Sequence, residues 1–284
     1  MPDVLLATGA DRPALWEDEF LLVEAIERRG LSVAPAVWSD PTADWAASRA
    51  VVLRSVFDYV ADRDGFCAWA DRVGATTALH NPPSVIRWNS HKAYLRELSS
   101  AGIPIVPTAW LDAGSTADLR SLLAENGWND AVVKPAVGNG ARGAARVSEA
   151  APASGQQHLD ALLAAGDVMV QPFLRATESP GEHALIVIAG RFSHAIRKDQ
   201  MLAGREFSLD RTPLVDPEPE ELALVDRIAA AVPEWPLLYA RADTVVDGDV
   251  TRLMELELIE PVLFFSRYPA AADAVAEALL NGRA

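Results

Sequence analysis

Cysteine is nearly absent: Cys67 stands alone among 284 residues. That excludes an internal disulfide and a cysteine-based metal cluster. Its setting, Phe66-Cys67-Ala68-Trp69 on an expected helix face, fits a buried, inert thiol. Histidine is sparse as well, five in all, and none is spaced as a metal-ligand pair. No apolar run reaches the roughly 18 residues that a spanning helix needs. Met1-Pro2-Asp3-Val4-Leu5 has no basic stretch ahead of its apolar residues, so no signal peptide is expected. Positive charge is also scarce: 25 Lys and Arg against 40 Asp and Glu leave a net charge of −15. Such a surface repels a phosphate backbone, which argues against nucleic acid as a partner. The expectation is a cytoplasmic protein with no membrane contact. With so few bases, the position of each becomes informative, because an anionic ligand needs a local lysine, arginine or divalent cation.

What is present is ordinary for a folded chain. Half of the residues, 50%, are apolar, and the length allows a sizeable core spread over two or three lobes. Residues 4–7, 32–37, 50–54 and 77–80 read as strands, with helices at 14–29 and 62–73. This alternation predicts a parallel α/β sheet for the N-terminal lobe, and Asn81-Pro82-Pro83 marks its boundary. Further helices are expected at 91–101, at 115–125 with Ser115 as N-cap, and at 157–165, 219–231 and 270–280. Strands are expected at 131–134, 144–147, 168–171, 237–246 and 251–258, with a hairpin of 183–189 and 191–197 across Gly190. These later strands follow one another directly, so the second part reads as α+β with antiparallel sheets. Residues 150–156 read as a surface loop.

The most telling segment is Val132-Val133-Lys134-Pro135-Ala136-Val137-Gly138-Asn139-Gly140-Ala141-Arg142-Gly143. A β-branched run delivers a lysine, and a loop of small residues follows. Backbone N–H groups in such a loop can wrap phosphate oxygens, and the lysine adds a compact charge. Gly138, Gly140 and Gly143 also spell the G-x-G-x-x-G dinucleotide fingerprint. The context opposes that match, because the fingerprint opens a helix and Ala144-Ala145-Arg146-Val147-Ser148 reads as extended. The Gly-Lys-Ser/Thr ending of a P-loop is missing, and Lys134 precedes the glycines where a kinase lysine follows them.

A second cluster answers the first. Glu255-Leu256-Glu257 lies in an otherwise apolar strand, whose alternation points both carboxylates to one face. Two like charges there are costly unless a cation lies between them, and oxygen ligands suit Mg²⁺. Arg241 and Asp243 precede this strand across Asp247-Gly248-Asp249. A connection with an odd number of residues puts them on the face of Glu255 and Glu257; a two-residue turn puts them on the other. The odd connection is expected.

Taken together, the chain resembles an ATP-grasp ligase of the glutathione synthetase-like type over residues 85–265. The resemblance is carried by Arg87-Trp88-Asn89-Ser90-His91-Lys92, the Lys134 segment with its glycine loop, Met169-Val170-Gln171-Pro172-Phe173-Leu174, Gly181-Glu182-His183 with the strand after it, and Glu255-Leu256-Glu257-Leu258-Ile259-Glu260-Pro261. It implies a substrate lobe at 1–90, a central lid lobe at 109–171, and a C-terminal lobe with the metal site at 91–108 and 172–284. Lys92 and Lys134 would contact ATP phosphates, under a lid of Gly138, Asn139, Gly140, Ala141 and Gly143. Gln171, Phe173 and Leu174 would form the hinge beneath adenine; Pro172 lacks an N–H, so Phe173 is expected to donate. Glu182, with Glu178 as rival, would hold the ribose. Asp243, Glu255 and Glu257 would bind one or two Mg²⁺, although family members often carry Asn where Glu257 stands.

Arg197, Lys198 and Arg241 are the candidate catalytic cations, since fixed donors stabilise an acyl phosphate and its tetrahedral successor. The implied reaction joins a carboxylate to an amine through an acyl phosphate, releasing ADP and phosphate. A small-molecule kinase and a regulatory nucleotide-binding protein are the alternatives. In the N-terminal lobe, Arg54 could grip a substrate carboxylate and Asp58 an ammonium, with Arg241 as a further contact, which suits an amino-acid-like small molecule. Relatives include ligases making dipeptides and one that closes the D-cycloserine ring. The resemblance also suggests a homodimer.

Overall fold

Val4–Thr8 (β1) is buried at all five positions, as a strand can be only at the centre of a sheet covered on both faces. The computed structural model describes residues 1–148, 152–198 and 208–281. β1 pairs in parallel with Val33–Val37 (β2) and Ala50–Ser55 (β3), and β3 with Ala78–His80 (β4). The order is β2-β1-β3-β4. One face is covered by Phe20–Glu27 (α1), whose buried side is Leu22, Ala25 and Ile26. The other is covered by Arg63–Gly74 (α2), through an aromatic cluster of Trp38, Trp45, Phe66 and Trp69. The first helix was expected from residue 14. It begins only at Phe20, because the buried Glu19 carboxylate accepts the Trp16 N–H at 2.9 Å and turns the preceding backbone into a tight bend.

The helix expected at 91–101 begins only at Tyr94, as Tyr94–Ser100 (α4), and a helix that was not expected, Pro83–Asn89 (α3), precedes it. Pro83 opens α3 in its first turn, where no amide N–H is needed. The break between them carries Lys92, whose backbone N–H leaves the helical pattern and donates to the Ala136 carbonyl at 2.8 Å.

A second sheet is antiparallel, built from Ala109–Leu111 (β5), Asp130–Pro135 (β6), Ala145–Ser148 (β7) and Val168–Pro172 (β8) in the order β5-β8-β6-β7. Its outer face packs on Leu119–Asn126 (α5) and Pro152–Leu163 (α6). Asp118 rather than Ser115 caps α5, accepting the Ser121 N–H at 2.7 Å. The surface loop expected at 150–156 is corrected from 152 onward, where the chain is already α6; residues 150 and 151 lie outside the described residues.

The third sheet joins His183–Ile188 (β9), Arg191–Arg197 (β10), Leu214–Val215 (β11), Tyr239–Asp247 (β12) and Val250–Glu257 (β13) in the order β11-β10-β9-β12-β13. Among the described residues its pairings are antiparallel. One face, with Ala184, Ile186 and Tyr239, packs toward the first sheet, α1 and Ala270–Leu280 (α8), after Pro219–Ala231 (α7) has covered the opposite face through Leu224 and Ile228. The expected α/β lobe followed by antiparallel α+β lobes is the observed architecture.

Candidate active site

The loop joining β12 to β13 is not the odd connection expected. Asp247 pairs with Val250, leaving a two-residue turn of Gly248 and Asp249. Alternation alone would then carry Asp243 away from Glu255. A β-bulge restores it: Thr244 pairs with Leu253 but Asp243 with Glu255, so Met254 is an extra residue on β13. Arg241 pairs with Glu257. All four side chains therefore share one face, for a reason the turn did not supply.

On that face the charges form a chain. Arg241 grips the fully buried Asp243 with both ends of its fork, Nε at 2.8 Å and Nη2 at 2.9 Å, and also bonds Glu257. Lys198 Nζ lies 2.6 Å from Asp243 and 2.9 Å from Glu182. Lys92 Nζ lies 2.9 Å from Glu255. Burial opposes ionisation of Asp243, but Arg241 and Lys198 overcome it and hold the carboxyl below its usual range. Lys92 and Lys134 do the same for Glu255 against its burial. Glu257 differs: burial, partly offset by Arg241 and reinforced by the charges of Asp243 and Glu255, pushes it up to about 8. Lys134 is pulled below the usual lysine range by burial, despite Glu255.

No group of three or more His, Cys, Asp or Glu is assembled for a metal among the described residues. The three candidate metal carboxylates are brought to one face but are shared among Arg241, Lys198 and Lys92. The donor set still fits a hard cation held by one or two carboxylates and substrate phosphates, since Glu257 retains a proton where a divalent ion would relieve the crowding of like charge.

Lys134 pairs with Met169 and Val132 with Gln171, so Lys134 and Gln171 share the inner face of the second sheet. No carboxylate lies within ion-pair distance of Lys134 among the described residues, although Glu255, Glu182, Lys92 and Lys198 are near enough to act on its charge. The glycine loop runs into β7, not into a helix, which removes the dinucleotide reading. Gly140, Ala141 and Gly143 take positive φ of 57°, 59° and 73°; a Cβ on Gly138 would lie 3.1 Å from Pro135 Cγ, a tight contact to which the proline ring would have to yield. Lys92 Nζ donates to the Gly138 carbonyl at 2.5 Å, so one lysine ties the loop to Glu255.

At the hinge, Gln171 is buried and donates to Thr108 Oγ1 at 2.9 Å. The expected donor is corrected: the Phe173 N–H is already spent on the Asp130 carbonyl at 2.9 Å, extending the β6–β8 ladder. The next amide, that of Leu174, has no acceptor among the described residues. Arg146, unnoticed in the sequence, pairs with Val132 and so joins the inner face. Its guanidinium lies 3.7 Å above the Phe173 ring and pairs with Asp130 at 2.7 Å and Glu178 at 3.6 Å. Glu182 faces the carboxylate strip through Lys198, and Glu178 stands at the rim with Arg146.

Three candidates sit differently from expectation. Arg197 pairs with His183, next to the Ala184–Asp243 pair, so alternation turns it to the opposite face from Lys198 and Arg241. Arg54 is buried, with Nε 3.1 Å from Glu19 and Nη2 donating to the Pro261 carbonyl at 3.1 Å. It stabilises an internal charge, leaving only its Nη1 without a partner. Asp58 accepts the Ala10 N–H and the Trp38 Nε1–H, both at 2.7 Å, and so fixes the loop after β1. Arg54 and Asp58 therefore brace the first sheet's strand ends.

Comparison with known proteins adds to this geometry. A family model described as the N-terminal domain of D-cycloserine synthetase DcsG matches residues 4–81. The chain is 32% identical over 256 residues to the cycloserine biosynthesis protein DcsG of Streptomyces lavendulae, covering 85% of this chain and 86% of that one. The crystal structure of D-cycloserine synthetase DcsG superposes with a TM-score of 0.91 at 30% identity over 99% of both chains. A RimK domain ATP-grasp protein from Sphaerobacter thermophilus shares the fold, with a TM-score of 0.72 at 21% identity over 96% of this chain and 98% of that one. So does the D-alanine–D-alanine ligase of Bacillus anthracis complexed with ATP, at 0.70 and 12% over 100% and 97%.

Proposed function

The chain belongs to the family of the D-cycloserine synthetase DcsG, within the ATP-grasp carboxylate–amine ligases, and from this premise we propose that it uses ATP and Mg²⁺ to join a carboxylate to an amine on a small amino-acid-like molecule. The observation that carries the reading is the strip of Arg241, Asp243, Glu255 and Glu257 facing Lys92 and Lys134. Opposed cations and carboxylates brought together in this way suit a polyphosphate with a divalent metal, and they suit neither an apolar ligand nor a bare anion.

In this reading Lys92 and Lys134 hold the phosphates, the backbone of Gly138–Gly143 covers them, and the Leu174 N–H in place of Phe173 donates to adenine. Glu182 takes the ribose. Asp243, Glu255 and Glu257 hold Mg²⁺, as one ion or two, and bound metal would screen the transferring phosphoryl group. A substrate carboxylate oxygen attacks the γ-phosphorus and ADP leaves. Arg241 and Lys198 stabilise the negative charge of the acyl phosphate and of the tetrahedral adduct formed when the amine attacks the acyl carbon. Phosphate then departs. The three lobes follow the three sheets. Because a relative is a cycloserine biosynthesis protein, intramolecular attack that closes a ring belongs among the reactions to test.

The test is phosphate release from ATP during a screen of amino acids and O-substituted serine derivatives. Ligation yields ADP and free phosphate only with a matching acid and amine. Phosphate retained on the product would make the protein a kinase, and ATP binding without turnover in any combination would make it a regulator.

A further inference from the structure

Asn139 stands in the middle of the glycine loop, where a phosphate contact is expected of it, yet its side chain is engaged elsewhere. Its Nδ2 donates to the Phe57 carbonyl at 2.9 Å and to Glu260 Oε1 at 3.0 Å. An amide nitrogen has two hydrogens to donate, and both are used. Phe57 begins the short helix after β3, and Glu260 follows β13. One side chain thus connects all three sheets. Among the described residues the loop has three more attachments: Lys92 Nζ on the Gly138 carbonyl, Arg142 3.9 Å from Asp11 on the loop after β1, and, from α6 of its own lobe, His158 Nε2 2.9 Å from the Gly143 carbonyl. Glu260 is buried, so the donor it receives from Asn139 matters: a buried carboxylate without one is costly.

We propose that Asn139 and Glu260 form an interlobe latch, a pair of positioning residues that press the glycine loop onto the strand ends of the first sheet. Closure over the nucleotide and shaping of the substrate side then become one movement. This rests on the ATP-dependent ligase reading. The coupling is short: Phe57 is bonded to Asp58, and Asp58 fixes Ala10 and Trp38, so a ligand settling on these strand ends acts directly on the carbonyl that Asn139 holds. A latched loop keeps water from the acyl phosphate until the amine attacks. An unlatched loop lets water take the acyl carbon, returning the free acid and phosphate with ATP already spent.

Two measurements decide it. In the ligand-free protein, hydrogen exchange at residues 138–143 should run about tenfold faster in Asn139→Ala than in the parent, with exchange in β1 and β9 unchanged. Equal exchange overturns the latch, whatever the fate of the ligase reading. In turnover with acid and amine present, the parent should form about one product per ADP. Asn139→Ala should raise ADP per product several-fold. Asn139→Asp should raise it further, because it sets an acceptor against the Phe57 carbonyl and Glu260. Glu260→Gln, which still offers Asn139 an acceptor, should stay near the parental ratio. An unchanged ratio in both Asn139 variants overturns the coupling. If the parent yields ADP with no acid–amine pair, the ligase reading falls, and the exchange measurement still judges the latch.

Discussion

Buried charge is handled in two ways in this protein. At the strand ends of the first sheet, Arg54 and Glu19 neutralise each other, Ser55 Oγ donates to Glu19 at 2.8 Å, and the Arg54 guanidinium rests near the Tyr239 ring. The two charges are closed on each other, with only Arg54 Nη1 left over. On the third sheet, Asp243, Glu255 and Glu257 crowd one face, and the cations around them leave Glu257 holding a proton up to about pH 8. Both regions place an arginine and acids in contact, which in the sequence look alike. The difference is whether the fold completes the compensation. Where it does, the charges brace; where it does not, the residue of unbalanced charge is a demand for a ligand.

Substitutions can break that contrast. Glu255→Gln removes a carboxylate that Lys92 and Lys134 both address; ATP turnover should fall about 10³-fold while the thermal midpoint holds. Unchanged turnover would transfer the metal role elsewhere. Arg54→Met should do the reverse, costing about 3 kcal/mol of folding stability by leaving Glu19 buried and unpaired, with nucleotide affinity kept; denaturant titration and calorimetric binding report both. Were Arg54→Met instead to raise the substrate KM in a stable protein, the bracing role would be wrong. Lys134→Met should lower ATP turnover by about 10²-fold, and because burial already disfavours its charge, the melting temperature should hold or rise.

The smallest effect concerns Glu260. Burial, against the Asn139 hydrogen bond and the charge of Lys92, pushes it up to about 7 from an ordinary 4.5, with Glu255 adding to the rise. A carboxyl raised on folding favours the folded state below the unfolded value and loses that contribution as pH climbs through the folded one. Glu260→Gln should therefore gain stability relative to the parent by about 2 kcal/mol between pH 5 and pH 8, read as the difference of two denaturation curves. No change with pH would mean that Glu260 is ionised throughout.

Much of this was legible in the sequence because it depends on local period. The apolar runs gave most strands of the three sheets, though not β5 or β11, and helices 219–231 and 270–280 begin and end where expected. Glu255 and Glu257 announced themselves as paired acids in an apolar strand. What was not legible depends on partners far along the chain. The helix break at Lys92 is set by the Ala136 carbonyl, and the Phe173 amide is taken by Asp130. Glu19 looked like an ordinary acid on a helix until Arg54 was seen against it. Arg146 could have been found, since strand alternation from Val147 turns it to the inner face. Glu260 stood in the segment that carries the resemblance but had no role there, because its meaning lies in the loop that reaches it.

The extra residue at Met254 has a consequence for how this pair of strands can vary. What addresses both carboxylates to one side is the direct pairing of Asp243 with Glu255, which the bulge sets by leaving Met254 unpaired. Residues added between Gly248 and Asp249 lie outside the ladder and keep the address. Deleting Met254 keeps it too, because Thr244–Leu253 and Asp243–Glu255 then become neighbouring pairs of a regular ladder, and only the local bend and added twist are lost. The Met254 deletion should therefore keep ATP turnover close to that of the parent, and a large loss would assign the bend itself a part in the site.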